Sequence, residues 1–245
     1  MSSEQIVLLD LPTKAPRSAW SLNPWRTRLV LNYKGLDYRT EWVEYHDIKR
    51  RLEKHVASNN TEIPYTIPTI QLPSGDYVTD SRQIATALEA AYPSPSLHLD
   101  SPILPRVEAI MHRLVVAMYP VFIPRVPQTI LADAAIPYWM ESREGWFGPL
   151  DKLAAEGSEG AWAAMGPLLK DVTELLREGQ GKGKGGPFFM GREVSYADFL
   201  WGAFLVFCQR LGPDVMQGVL EGTGDAKLHE GFLEALAPWT ARADH

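Results

Sequence analysis

The 245-residue sequence predicts an α/β N-terminal domain followed by an all-α C-terminal domain. Three observations carry that expectation. Before residue 93, short β-rich runs alternate with helical periods in the order β-α-β-α-β-β-α. At Pro93-Ser94-Pro95-Ser96 the composition becomes that of a linker. Beyond residue 100 the periodicity is helical almost throughout. The expected division is therefore 1–92, a linker at 93–100, and 101–245.

Each element follows from local signals. Ile6 to Leu11 is a short apolar run and reads as a buried strand. A polar loop from Pro12 to Leu22 leads to Asn23-Pro24, where asparagine suits an N-cap and proline the first helical position. Trp25, Leu29 and Tyr33 then share a face, and Gly35 is placed to stop a helix over 24–34. Tyr38 to Tyr45 is rich in strand formers. This strand-helix-strand unit crosses over right-handed if its strands are parallel. His46 to Val56 is helical with Ile48, Leu52 and Val56 inward, and Ser58 to Thr66 is a loop. Thr69-Ile70-Gln71-Leu72, the turn residues Pro73-Ser74-Gly75-Asp76, and Tyr77-Val78-Thr79 make a hairpin. Asp80 caps the next helix, which carries Gln83 at its third position and Ile84, Leu88 and Ala91 on one face.

In the second half, Pro102 to Tyr119 reads as one long helix, followed by a proline-interrupted segment from Pro120 to Pro127. Ile136 to Phe147 is helical. Ala161 to Leu176 sets Trp162, Met165, Leu169, Val172 and Leu176 in one stripe, a core face. Gly179 to Gly186 reads as a flexible loop, without the spacing or the following Ser/Thr of a phosphate-binding loop. Ser195 and Asp198 form a capping box at the start of an apolar helix that runs to Leu211 and ends at Gly212-Pro213.

Composition narrows the function. A 45% hydrophobic and 22% charged chain is an ordinary soluble globular protein, and a net charge of −6 argues against nucleic acid as a partner. The single cysteine, Cys208, excludes an internal disulfide and a cysteine-only zinc site, and fits a reducing, cytoplasmic setting. It lies in the apolar helix and reads as a small buried hydrophobe. The histidines show no metal-ligand spacing, so no metal is expected. The N-terminus is not a secretory signal and no window reaches membrane-spanning length, so no membrane partner is expected.

Chemistry concentrates between Tyr65 and Gln83. Pro68 opens a strand although it cannot donate to a ladder. A cis bond would turn the Ile67 N–H and C=O outward to pair with an extended peptide; a trans proline at a strand edge is the plain alternative. Asp80-Ser81 presents a carboxylate, a hydroxyl and free N–H groups together at a helix start, which suits a ligand carrying both a carboxylate and an ammonium. Capping alone is the competing account.

Proline before a strand, a hairpin, then Asp-Ser opening a helix resembles the glutathione-binding half of a thioredoxin-fold glutathione transferase. In that family the proline is cis, the residue before it pairs with the cysteinyl backbone of glutathione, and the acid-serine pair holds the γ-glutamyl group. The resemblance places these roles on Ile67, Pro68, Asp80 and Ser81. FMGREVSYADFLWG and SREGWFG in the second half resemble the same family, so the likeness covers residues 6–240 and implies the glutathione transferase fold. RTRLVL at 26–31 is similar to the first-helix run of omega-like members, which place a cysteine five residues before its arginine; here that position is Ser21.

A serine there favours thiolate chemistry over mixed disulfides. A free thiol near pKa 8.5 is only about 3% ionised at pH 7, and lowering it by about two units takes about 2.7 kcal/mol. A hydrogen bond to a charged group supplies roughly 1.5–3 kcal/mol and a helix N-terminus about 0.3–1, so one hydroxyl suffices. Ser21 is the expected catalytic donor, with Ser18 and Asn23 as rivals. The runs N-P-W-R-T-R and E-W-V-E-Y resemble the fungal FuA class, related to bacterial β-aryl-etherases. That likeness implies conjugation of hydrophobic aromatic electrophiles, peroxide reduction, binding of wood-derived aromatics, and a homodimer. A ligand-binding protein without turnover and a glutathione-dependent β-etherase are the alternatives. The aromatic pocket would draw on Trp20, Met118, Tyr119, Phe122 and Trp201, for each of which core packing is the alternative. The lysine that several members carry before the cis-proline pair is absent here, where Tyr65 and Thr66 stand. Lys49-Arg50-Arg51 or Lys54-His55 could take the glycyl carboxylate, though a solvated helix face is the favoured account of that cluster.

Overall fold

A computed structural model describes residues 5–58, 63–181 and 185–243. Four strands form one mixed sheet: β1 (Ile6–Asp10), β2 (Tyr38–Trp42), β3 (Thr69–Gln71) and β4 (Tyr77–Thr79), in the order β2-β1-β3-β4. β1 pairs parallel with β2 and antiparallel with β3, and β3 pairs antiparallel with β4. Every residue of β1 is buried, as a central strand covered on both faces requires. β2 stops at Trp42, three residues short of the predicted end.

Helix α1 (Leu22–Tyr33) links β1 to β2. It starts two residues before the predicted position, because the extended N-cap is Ser21, whose carbonyl accepts the Trp25 N–H at 3.1 Å. Asn23 therefore lies inside the first turn, and Pro24 at the third position, where no N–H is needed. Gly35 (φ 63°) ends α1 as predicted; its N–H donates to Asn32 O, and the Leu36 N–H to Leu31 O. The predicted helix over 46–56 shortens to a 3-10 turn and α2 (Ile48–Leu52). Helix α3 (Ser81–Ala91) begins where expected.

The second half is helical. The predicted helix to Tyr119 divides into α4 (Leu104–Ala117) and α5 (Tyr119–Phe122), because Pro120 cannot supply the N–H that continuation would require. After α6 (Val126–Thr129) and α7 (Ile136–Phe147) comes α8 (Leu150–Gln180), far longer than the 161–176 stripe suggested. Its first half lacks an apolar stripe because glycine meets a neighbour there. A Cβ on Gly157 would lie 2.7 Å from Pro120 Cβ. The predicted glycine loop thus begins inside a helix, and its residues 182–184 lie outside the described residues. α9 (Tyr196–Leu211) is buried along nearly its whole length and carries the predicted capping box. Asp198 accepts from Ser195 N, Ser195 Oγ and Phe189 N at 2.7–2.9 Å. α10 (Pro213–Thr223) and α11 (Ala226–Thr240) close the chain. α1 packs against α3 and, through Arg28, reaches Asp10 and Thr40 of the sheet, while α9 and α11 pack on it from the helical half, so the two halves share one core.

Candidate functional site

The start of α1 is held from several sides. The buried Asp10 carboxylate at the end of β1 pairs with Arg28 at 2.8 Å, and Arg28 Nη2 also donates to Thr40. Burial pushes the Asp10 carboxyl up against the pull of Arg28. A bridge between Pro12 and Ala19 folds the preceding loop back, and buried Trp20 seats it beside Trp139 and Phe207. Ser21 is thereby presented at the helix N-terminus with its side chain making no capping bond. The hydroxyl is available to a ligand in the field of the first-turn N–H groups.

Asp80 sits between β4 and α3 with φ 72° and ψ 127°, a conformation costly for a non-glycine residue and one that concentrates at functional sites. Its Oδ1 accepts from Arg82 N at 2.9 Å and Gln83 N at 3.1 Å, and Oδ2 has no protein partner among the described residues. Ser81 is buried beside Tyr196, whose phenol burial raises to about 12. The Ile67–Pro68 bond is cis. Among the described residues no backbone hydrogen bond engages the N–H or C=O of Ile67. Arg26 faces this corner. Burial lowers its pKa while Tyr196, Asp80 and Glu108 raise it, and its buried Nε has no partner among the described residues.

Three adjoining cavities of about 690, 300 and 380 Å³ meet at Asn23, which lines all of them. The smallest contains Arg26, Asp80, Ser81 and Glu108. The next contains Ser21, Ile67, Tyr65 and Lys49. The largest contains Ser21 and an aromatic wall in which Tyr119, Phe122 and Phe147 meet edge to face at 5.3–5.7 Å. Ser21 thus stands between a polar corner and an aromatic cleft.

Of the predicted pocket residues, Trp20, Tyr119 and Phe122 line the cleft. Met118 and Trp201 do not. Met118 is fully buried at the end of α4, and Trp201 stacks on Phe204 and donates to His229 Nδ1 in the core. Ser18 lies outside the cavities; its N–H and C=O bond to Thr13. Arg50 and Arg51 are tied to Asp47 and Glu41, and His55 stacks on Tyr77; of the predicted cluster Lys49 reaches the cavity wall near Ile67, which Arg143 of α7 also lines. Sequence reasoning missed Arg26, Tyr45, Trp139 and Arg143. The run SREGWFG held the one available hint of Arg143. Among the described residues no cluster of metal-ligating side chains occurs, and no single helix is long and apolar enough to cross a membrane.

Residues 20–91 match the family model for the glutathione S-transferase N-terminal domain, and residues 107–226 that for the C-terminal domain. The glutathione S-transferase-like protein ustS of Aspergillus flavus is 29% identical over 230 residues, 84% of this chain and 81% of its own length. A glutathione S-transferase of Ceriporiopsis subvermispora, solved in complex with glutathione, superposes with a TM-score of 0.80 at 28% identity, covering 96% of this chain and 97% of that one. Glutathione transferase GSTFuA3 of Phanerochaete chrysosporium gives 0.79 at 29% identity with the same coverages.

Proposed function

Because the chain belongs to the glutathione S-transferase family, carrying its N-terminal and C-terminal domains in order, we propose that it activates glutathione at Ser21 for conjugation to hydrophobic aromatic electrophiles. The observation that carries this reading is the Ser21 hydroxyl, which makes no capping bond, at a helix N-terminus and between the polar corner and the aromatic cleft. Glutathione supplies the nucleophilic sulfur. Ser21 Oγ–H donates to that sulfur and favours its anion by roughly 1.5–3 kcal/mol. Ile67 offers its N–H and C=O to the cysteinyl backbone. Asp80 Oδ2 takes the γ-glutamyl ammonium, while Ser81, the α3 N-terminus and Arg26 take its carboxylate. Lys49 takes the glycyl carboxylate. Trp20, Tyr119 and Phe122 border the space for the electrophile. Asn23, which reaches the same junction, is the rival donor.

Peroxide reduction and binding of wood-derived aromatics use the same thiolate or the same cleft, and we include them as further activities of this site; ether cleavage and ligand storage without turnover are its alternatives. Assembly as a homodimer and a cytoplasmic location complete the proposal. The test is glutathione binding by calorimetry, then conjugation of a generic aromatic electrophile, for wild type, Ser21→Ala and Asn23→Ala. Wild type and Ser21→Ala are expected to bind glutathione alike, with conjugation by Ser21→Ala lower by about one to two orders of magnitude. Loss of turnover in Asn23→Ala instead would transfer the donor role to Asn23. Binding without turnover in wild type would favour ligand storage. No binding at all would remove Ile67, Asp80 and Ser81 from the site.

A further inference from the structure

Arg143 is the feature of the aromatic cleft that the proposed chemistry leaves unused. It enters from α7 into a nest of rings, its guanidinium carbon 4.1 Å from the Trp139 ring centre and 5.0 Å from those of Tyr45 and Trp146. Nη1 donates to Ser142 Oγ at 2.8 Å, and the buried Nε has no partner among the described residues. Among the described residues, the groups whose charge bears on it are the phenols of Tyr45 and Tyr138 rather than a carboxylate, and burial lowers its pKa. Every other arginine noted above at the site has an acid close by: Arg82 pairs with Glu108 at 3.1 Å, and Arg26 lies in the field of Asp80 and Glu108. Among the described residues, Arg143 is also the one lining residue of the 690 Å³ cavity that carries a permanent charge, and it borders the 380 Å³ cavity as well. A cation taken out of water without a counter-ion is costly, and an anion that enters beside it recovers that cost. The surrounding ring faces stabilise the guanidinium but leave its in-plane donors for such a partner.

We propose that Arg143 selects the second substrate: an aromatic electrophile bearing an anionic group, a carboxylate or a sulfonate. The anion pairs with the guanidinium, and the ring lies against Tyr119, Phe122 and Phe147. This rests on the reading of the cleft as the electrophile site. It assigns the glycyl carboxylate of glutathione to Lys49, which lines the 380 Å³ cavity beside Tyr65 and Ile67 but not the aromatic cleft, whereas Arg143 lines both.

The test uses para-chloro-meta-nitrobenzoate and its uncharged amide. In both, the glutathione thiolate forms a C–S bond at the chlorine-bearing carbon and chloride leaves with the C–Cl electron pair, so no oxidant or reductant is needed. Each enzymatic rate is divided by the uncatalysed rate to remove intrinsic reactivity. Each probe is also titrated calorimetrically without glutathione, where no reaction intervenes. Wild type is expected to prefer the acid by about tenfold in kcat/KM and in affinity, the size of a charge-assisted hydrogen bond. Arg143→Gln is expected to lose that preference, and Arg143→Lys, which keeps the cation and guards against misfolding, to retain part of it. No preference in wild type, or a preference that survives Arg143→Gln, overturns the proposal. So does a rise in the KM for glutathione in Arg143→Gln with the acid preference intact, which would give Arg143 to the glycyl carboxylate. A calorimetric preference that vanishes in Arg143→Gln while neither probe is conjugated would uphold the anion site and count against the transferase reading alone.

Discussion

His229 shows how far one buried side chain can set a pH limit. Trp201 Nε1–H donates to its Nδ1 at 3.1 Å, so the proton of the neutral ring sits on Nε2, which faces Thr173 Oγ1 at 2.9 Å. A second proton on Nδ1 would point at the indole N–H. Burial lowers the pKa to about 4 from 6.5. Between those values the unfolded chain binds a proton that the folded chain refuses. Stability from this group is therefore complete above about pH 6.5 and is lost as pH falls toward about 4, by about 3 kcal/mol. Asp198 acts in the opposite sense, since burial raises its carboxyl to about 6, but it is common to both proteins in the comparison that follows. In His229→Gln the drop in unfolding free energy between about pH 7 and about pH 4.5 is expected to shrink by about 2 kcal/mol relative to wild type, read from urea unfolding at each pH. An unchanged drop would mean that His229 titrates normally. Residues of this kind are hidden in a sequence because their protonation depends on neighbours distant along the chain. Ile67-Pro68 and Asp80-Ser81 were legible because each sits on a local signal, a strand opening or a helix start, whereas Ser21 was reached through the resemblance of the RTRLVL run, since local rules put the cap at Asn23. Arg26 and Arg143 were not legible, because what distinguishes them is burial among neighbours distant along the chain.

At the scale of the element, α8 carries the information that periodicity could not supply. Its stripe from Ala161 to Leu176 was readable, but its first half packs through glycine. Gly157 is the point at which α8 approaches α5, with Pro120 where a side chain would begin. Proline cannot swing aside, so a valine there must push α5 away. Gly157→Val is expected to cost about 1–3 kcal/mol. It would also displace Tyr119 and Phe122, which flank Pro120 and line the cleft, so affinity for aromatic ligands should fall more than affinity for glutathione. Gly160, three residues on, meets nothing within 4 Å, and Gly160→Ala is expected to stabilise by about 0.5–1 kcal/mol through helix propensity alone. Thermal unfolding of the pair measures the contrast, and equal effects at the two positions would refute the close approach at Pro120. The same limit explains the misplaced start of α1. Asn23-Pro24 is a good cap by local rules, but the loop seated by Trp20 and the Pro12–Ala19 bridge delivers the chain in helical register two residues earlier.

At the scale of the molecule, two domains in sequence do not make two independent cores. α1 shows only one apolar face to a sequence reader, through Trp25, Leu29 and Tyr33. In the structure Leu22, Val30 and Leu31 are buried as well, because α3 packs against α1 from the N-terminal half and α9 and α11 from the helical half. The joint is specific: Asn32 Nδ2 donates to Trp239 O at 2.7 Å, and the Tyr33 ring lies 5.3 Å from both Phe199 and Trp239. The terminal segments add to it, with Ala19 N donating to Ala243 O at 2.9 Å and Lys14 N to Ile130 O at 2.7 Å. Detaching the helical half would strip one side of α1 and leave its apolar groups in water, at about 25 cal/mol per Å² exposed. The N-terminal sheet should therefore not open alone. Native-state hydrogen exchange in rising denaturant tests this, since amides in a shared cooperative unit report one opening free energy. Leu8 in β1 and Phe204 in α9 are expected to converge on the same global value. If Leu8 instead exchanges through an opening that leaves Phe204 protected, the sheet and α1 form a unit of their own. The glutathione corner could then loosen without disturbing the aromatic cleft. Convergence would mean that both halves of the site, carried on opposite sides of this joint, persist or disappear together.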